Sequence, residues 1–146
     1  MTISFRVADI PQTKGSTKGF VGRSRRTGKL RAFITNDNAK NKIWTQSVQA
    51  EAMTRKPDAV WLGPVQVVLS FYLVPPQWAL SAFKRGERPH PITKPDIDKL
   101  ERSVHDALST IIYLDDSQIV SSISNKFYGF GGFVGVEIEV HSLEGE

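Results

Sequence analysis

TKPDIDKLERSVHDALSTIIYLDDSQI, residues 93–119, combines one amphipathic repeat with five aspartates. Leu100, Val104, Ala107, Leu108 and Ile111 recur at helical spacing, which predicts a helix from Asp98 to about Thr110. Four aspartates stand at its ends in two tight pairs, Asp96 with Asp98 and Asp115 with Asp116. The fifth, Asp106, lies inside the helix. Pro95 disfavours the α region for Lys94, so the chain arrives extended. In an extended segment positions i and i+2 point to one side, so Asp96 and Asp98 converge. The second pair opens the strand that follows. If that strand lies beside the start of the helix, three or four carboxylates share one pocket.

Carboxylates that close raise each other's pKa unless a cation keeps them ionised. Oxygen ligands without cysteine or paired histidine select Mg²⁺, with Mn²⁺ as substitute, over zinc. A structural reading stands beside this one. Asp98 and Glu101 spell the capping box DKLE, acids suit a helix N-terminus, and Asp115-Asp116-Ser117 is ordinary turn chemistry. Arg102, one turn after Asp98, is either its salt-bridge partner or a clamp for a phosphate. Asp106 reads as structural, and His105 has no evident partner.

Outward from this segment, VQVVLSFYLV (65–74) is β-branched and aromatic and predicts a central strand covered on both faces. ISFRVADIP (3–11) alternates as a half-buried strand. Ala39, Ile43, Trp44, Val48 and Ala52 predict a helix over about 38–54, with Trp44 in the core. One helical turn is expected near 78–84, followed by a Pro-rich positive loop with Lys84, Arg85, Arg88, His90 and Lys94. SQIVSSISNKFYG and GFVGVEIEV read as two strands, with GFGG between them as turn material. The result is a single α+β domain over 1–146, a mixed sheet with two main helices.

The chain has 146 residues and no cysteine, which excludes disulfides, thiolate metal sites and thiol catalysis. No apolar stretch is long enough for a membrane helix, so no membrane partner is expected. The N-terminus lacks a signal pattern. The net charge of +4 is uneven. Residues 1–40 hold nine Lys/Arg against two Asp/Glu, and the remainder holds ten against thirteen. That asymmetry points to a polyanion. The stretch from about 11 to 32 reads as a basic, mobile, DNA-binding loop, with a short strand LRAFIT as its expected end. Its Lys14, Lys18, Arg23, Arg25, Arg26 and Lys29 suit phosphates, and its glycines allow close backbone approach.

KPDIDKLERSVHDAL…YLDDSQI (94–119) resembles the signature of the RusA family of Holliday junction resolvases of bacteria and their phages. ADIPQTKGSTKG, VVLSFYLVPP, NKFYG and GVEIEV are similar to the family's weaker features, so the likeness spans most of the chain. It implies a small homodimer that uses Mg²⁺ to cut four-way DNA junctions by paired symmetric hydrolysis, in recombination and repair. It further implies a cytoplasmic protein of a prokaryote or phage. Carried over by position, the catalytic and metal-binding carboxylates are Asp96, Asp98 and one of Asp116 and Asp115, with Asp116 favoured by alignment. Arg102 stands where the family has lysine, and Lys99 where it has asparagine. Arg102 can clamp a phosphate but not donate a proton. Lys94 and Lys126 are further candidates for DNA contact. The alternatives are a less selective metal nuclease on branched or flap DNA, and a non-catalytic DNA-binding module whose acids only cap helices.

Overall fold

The elements run β1 (Thr2–Ala8), β2 (Thr17–Arg23), β3 (Leu30–Asn36), α1 (Ala39–Arg55), β4 (Val65–Leu73), α2 (Gln77–Lys84) and α3 (Ile97–Leu108). A 3₁₀ turn (Asp116–Gln118), β5 (Ile119–Tyr128) and β6 (Gly135–Ser142) complete the chain. The structure is a computed structural model that describes residues 1–13, 17–23, 30–36 and 39–144, with 17–23 and 30–36 described through their backbone. β1, β6, β4 and β5 lie side by side in that order in one sheet. β4 and β5 pair parallel, and the other neighbours pair antiparallel, so the sheet is mixed as expected. None of the helices is long and apolar enough to cross a membrane, among the described residues.

The periodicities explain the core. Val65, Val67, Leu69, Phe71 and Leu73 of β4 are buried, as are Val136, Ile138 and Val140 of β6 and Phe5 and Val7 of β1. They meet Trp44, Val48 and Ala52 of α1 and Leu100, Val104, Ala107 and Leu108 of α3. Each large side chain buried there contributes about 1.5–3 kcal/mol. β4 is central, but only one of its faces is buried. Gln66, Val68, Ser70 and Tyr72 remain half-exposed, because both long helices pack on the opposite side. At Gly135, φ +154°, an added Cβ would stand 1.9 Å from the Val7 carbonyl oxygen, so the β1–β6 pairing requires glycine there.

Trp44 is a core residue, and its indole is tied to α3. Its Nε1–H donates to Ser103 Oγ at 3.2 Å, and Ser103 Oγ–H donates to the Leu100 carbonyl at 2.7 Å. Both side chains are buried. Ser103→Ala leaves the indole N–H without a partner, and the expected cost is about 1–3 kcal/mol, measured as a lower midpoint in urea unfolding.

Part of the stretch expected as a loop is strand. β2 and β3 form an antiparallel pair in which Phe20 is registered with Phe33 and Val21 with Ala32. Three glycines within or beside that run dilute the alternation that would have marked it. β5 and β6 are also not neighbours. The chain after β5 passes β4, and β6 inserts between β4 and β1.

Candidate active site

The parallel β4–β5 pair fixes where the aspartates go. Between parallel strands the chain must return through a crossover, here α2 and α3, so α3 runs antiparallel to β5. Three side-chain contacts give the alignment. Ser122 Oγ lies 3.2 Å from His105 Nε2, Ser124 Oγ–H donates to the Glu101 carboxylate, and Lys126 Nζ donates to the Thr93 and Pro95 carbonyls at 2.8 and 2.9 Å. The beginning of α3 therefore lies beside the end of β5, and the last turn of α3 lies beside its beginning.

Asp96 is the N-cap of α3, in extended conformation, and Asp98 sits in the first turn. The capping box expected at Asp98 does not form: the helix begins one residue earlier, and no side chain caps it. Asp96 instead faces Lys99, with Oδ2 3.6 Å from Nζ, both half-exposed. Asp98 and Arg102 are exposed. Among the described residues Arg102 makes no ion pair, and its guanidinium faces solvent one turn above Asp98.

Asp115 and Asp116 stand at the opposite end. About 12 Å of helix axis separates Asp98 from Asp106, by the 1.5 Å rise of each residue, and the second pair lies near Asp106. The expected convergence of all the acids does not occur within one chain, because the DDSQ turn precedes β5 while α3 begins beside the end of β5. Asp106, read from sequence as structural, is the residue that meets the pair. Both line the same cleft, and the interaction with Asp106, then desolvation, raises the Asp116 carboxyl above its ordinary pKa. Asp115 goes the other way. It caps the 3₁₀ turn, accepting from Ser117 N–H at 3.1 Å, and its hydrogen bonds with Ser117 lower its pKa.

Asp106, Asp115 and Asp116 line an open cleft of about 510 Å³ together with Asn41, Thr45 and Ser109. His105, for which the sequence suggested no partner, is half-buried against Ser122. Burial lowers its pKa, against the pull of Glu101, Asp116 and Asp106. Tyr113 is buried beneath the turn, its O–H donates to the His105 carbonyl at 2.7 Å, and burial raises its pKa. Among the described residues no three His, Asp or Glu side chains enclose a metal ion by themselves. Two neighbouring carboxyls nonetheless suit Mg²⁺, which takes one or two protein carboxylates and leaves its other positions to water and phosphate.

Gln118 holds the turn in place. Its Nε2 donates to the Trp61 and Gly63 carbonyls at 2.8 and 2.9 Å, and its Oε1 accepts from Asp115 N–H at 2.9 Å. Gln118→Ala removes all three bonds. The expected result is a melting temperature lower by a few degrees, read in thermal unfolding.

The basic candidates divide. Lys94 is exposed beside the start of α3. Lys126 spends its ammonium on two carbonyls and so anchors that start. Lys18 and Arg23 lie on β2, where the backbone alone is described. Lys14, Arg25, Arg26 and Lys29 lie outside the described residues.

The family model for the endodeoxyribonuclease RusA matches residues 20–141. The chain is also similar to the uncharacterized protein YqaN of Bacillus subtilis (strain 168), at 34% identity over 131 residues, covering 86% of this chain and 87% of that protein.

Proposed function

From its membership of the RusA family of endodeoxyribonucleases, to which the chain belongs, we propose that this enzyme resolves four-way DNA junctions by Mg²⁺-dependent hydrolysis. The observation that carries the reading is that Asp106 of α3 and Asp115 and Asp116 of the following turn line one open cleft. Asp106 beside it raises the Asp116 carboxyl's pKa, and a cation between neighbouring carboxylates would keep them ionised. Asp106 and Asp116 would hold Mg²⁺, or Mn²⁺ in its stead, with Asp115 beside them. When bound, the ion supplies Lewis-acid polarisation of the scissile phosphate and acidifies a water for in-line attack.

The chain's own residues do the rest. Arg102 offers a rigid fork of donors to a phosphate and remains charged throughout, so it stabilises developing charge without moving a proton. Asp96 and Asp98, exposed and uncapped, are the second acid pair. Twelve ångströms of helix keep them from the ion held by Asp106. In a two-fold dimer the pair belonging to one chain reaches the centre of the other, which also gives the two symmetric cuts that resolution needs. Lys94 and the basic residues of 14–29 hold the junction's backbone, and binding falls steeply with salt. Action on DNA places the enzyme in the cytoplasm of a prokaryote, or of a cell that carries its phage.

Metal binding is tested without catalysis. Mg²⁺ or Mn²⁺ at a hundred times its dissociation constant is expected to raise wild-type stability by about 2.7 kcal/mol, read as a higher melting temperature. Asp116→Asn is expected to abolish that rise. An equal rise in both proteins would place the ion elsewhere.

A further inference from the structure

An aromatic row and a basic segment stand at the end of β5, near the start of α3. Trp78 of α2 is 56% exposed, and Ile92 in the following loop is 88% exposed. Trp78 lies edge-on to Tyr128 at 6.0 Å, Tyr128 lies edge-on to Phe130 at 5.8 Å, and Phe130 stacks on Phe83 at 4.5 Å. The Arg88 guanidinium caps this row, 4.4 Å from the centre of the Phe83 ring. Residues 77–95 carry Lys84, Arg85, Arg88 and Lys94 against Glu87 alone, and Arg85 pairs with that glutamate at 3.1 Å. The row lies at the Asp96–Asp98 end of α3. Tyr128 ends β5 two residues beyond Lys126, whose ammonium holds the Thr93 and Pro95 carbonyls just before Asp96.

A solvent-facing indole at one end of a continuous aromatic row, with the Arg88 guanidinium on the other end and a basic segment beside it, has the chemistry of a stacking platform for bases. Duplex DNA offers it nothing, because bases in a helix already stack on each other. A branch point does, since bases there lose a neighbour. We propose that Trp78 and the row behind it bind unstacked DNA bases beside the start of α3, with Lys84, Arg88 and Lys94 on the flanking phosphates. This rests on the nuclease reading and adds what the acids do not supply, a means of telling a branch from a plain duplex.

The protein's tryptophans give a direct readout. Trp44 is fully buried and Trp61 is 9% exposed, so a change in tryptophan emission on binding reports Trp78. The full chain, in chelator so that nothing is cut, is titrated with oligothymidylate, a four-way junction, blunt duplex and heparin. Binding is followed in parallel by anisotropy or by competition. The expected result is quenching by oligothymidylate and junction but not by heparin or duplex. In Trp78→Leu the quenching disappears and affinity for oligothymidylate falls about tenfold, within the 1–3 kcal/mol of one stacked base, while duplex affinity changes less than twofold. Equal quenching by heparin, or junction binding and cleavage without quenching, overturns the proposal and leaves the nuclease reading standing. No binding to any DNA overturns both. A blue shift that grows with protein concentration and ignores DNA marks a self-association face and overturns it as well.

Discussion

Asp116→Asn is expected to lower junction cleavage by about 10³-fold, some 4 kcal/mol of transition-state stabilisation, while junction binding in chelator stays within twofold. The side chain is exposed and an amide relieves its repulsion with Asp106, so folding stability should change by no more than about 0.5 kcal/mol. Single-turnover cleavage with binding measured alongside separates the two effects. Asp115→Asn provides the contrast. Its carboxylate is occupied by the Ser117 N–H of its own turn, and an amide oxygen can accept the same bond. The loss there should be about tenfold or less, by the usual cost of disturbing a supporting ligand. If Asp115→Asn proved the more damaging, the proposed roles of the two aspartates would be reversed.

Asp98→Asn is expected to be as damaging as Asp116→Asn, again about 10³-fold. Asp98 is exposed in the first turn of α3 and caps nothing, so the substitution removes only its favourable position in the helix dipole, about 0.3–1 kcal/mol. A large loss would therefore come from chemistry. The separation of the two acid groups gives a sharper form of the test. If each centre draws Asp98 from one chain and Asp116 from the other, a dimer of one Asp98→Asn and one Asp116→Asn chain has one intact centre and one doubly damaged centre. Equimolar mixing with free exchange makes half of the dimers mixed, so about a quarter of wild-type nicking should return, as single nicks without resolution. If both acid groups serve within one chain, every centre in the mixture is damaged and no activity returns.

What could be read before the structure was known follows the range of the interactions. α3 and β6 are announced by their own periodicities, and α1 by its spacing and polar start; both helices appear within two residues of where they were expected, while β6 starts three residues later, at Gly135. β2 was hidden because glycines interrupt its alternation, and glycine-rich basic sequence reads as loop. The burial of β4 was half legible: five alternating apolar residues mark a buried face, but nothing local says that both long helices pack on that face. The candidate site divides in the same way. Its acids were visible as charges, and the DDSQ turn was visible as a motif. Which acids meet was not, because it depends on β4 and β5 pairing parallel across more than fifty residues of chain. That pairing sets α3 antiparallel to β5, carries Asp106 to Asp116, and leaves Asp96 and Asp98 at the far end. Gln118 and His105 were missed for the same reason. Their partners, Trp61, Gly63 and Ser122, are distant in sequence or lie on the neighbouring strand.

Junction cleavage under metal control tests the central claim most directly. The full chain is incubated with a labelled four-way junction, a blunt duplex and a flap, each in Mg²⁺ and in chelator, and both labelled strands are mapped. Paired symmetric cuts are expected in the junction alone, present in Mg²⁺ and absent in chelator. Equal cutting of all three substrates would contradict junction selectivity, and cutting that persists in chelator would contradict the proposed metal site at Asp106 and Asp116.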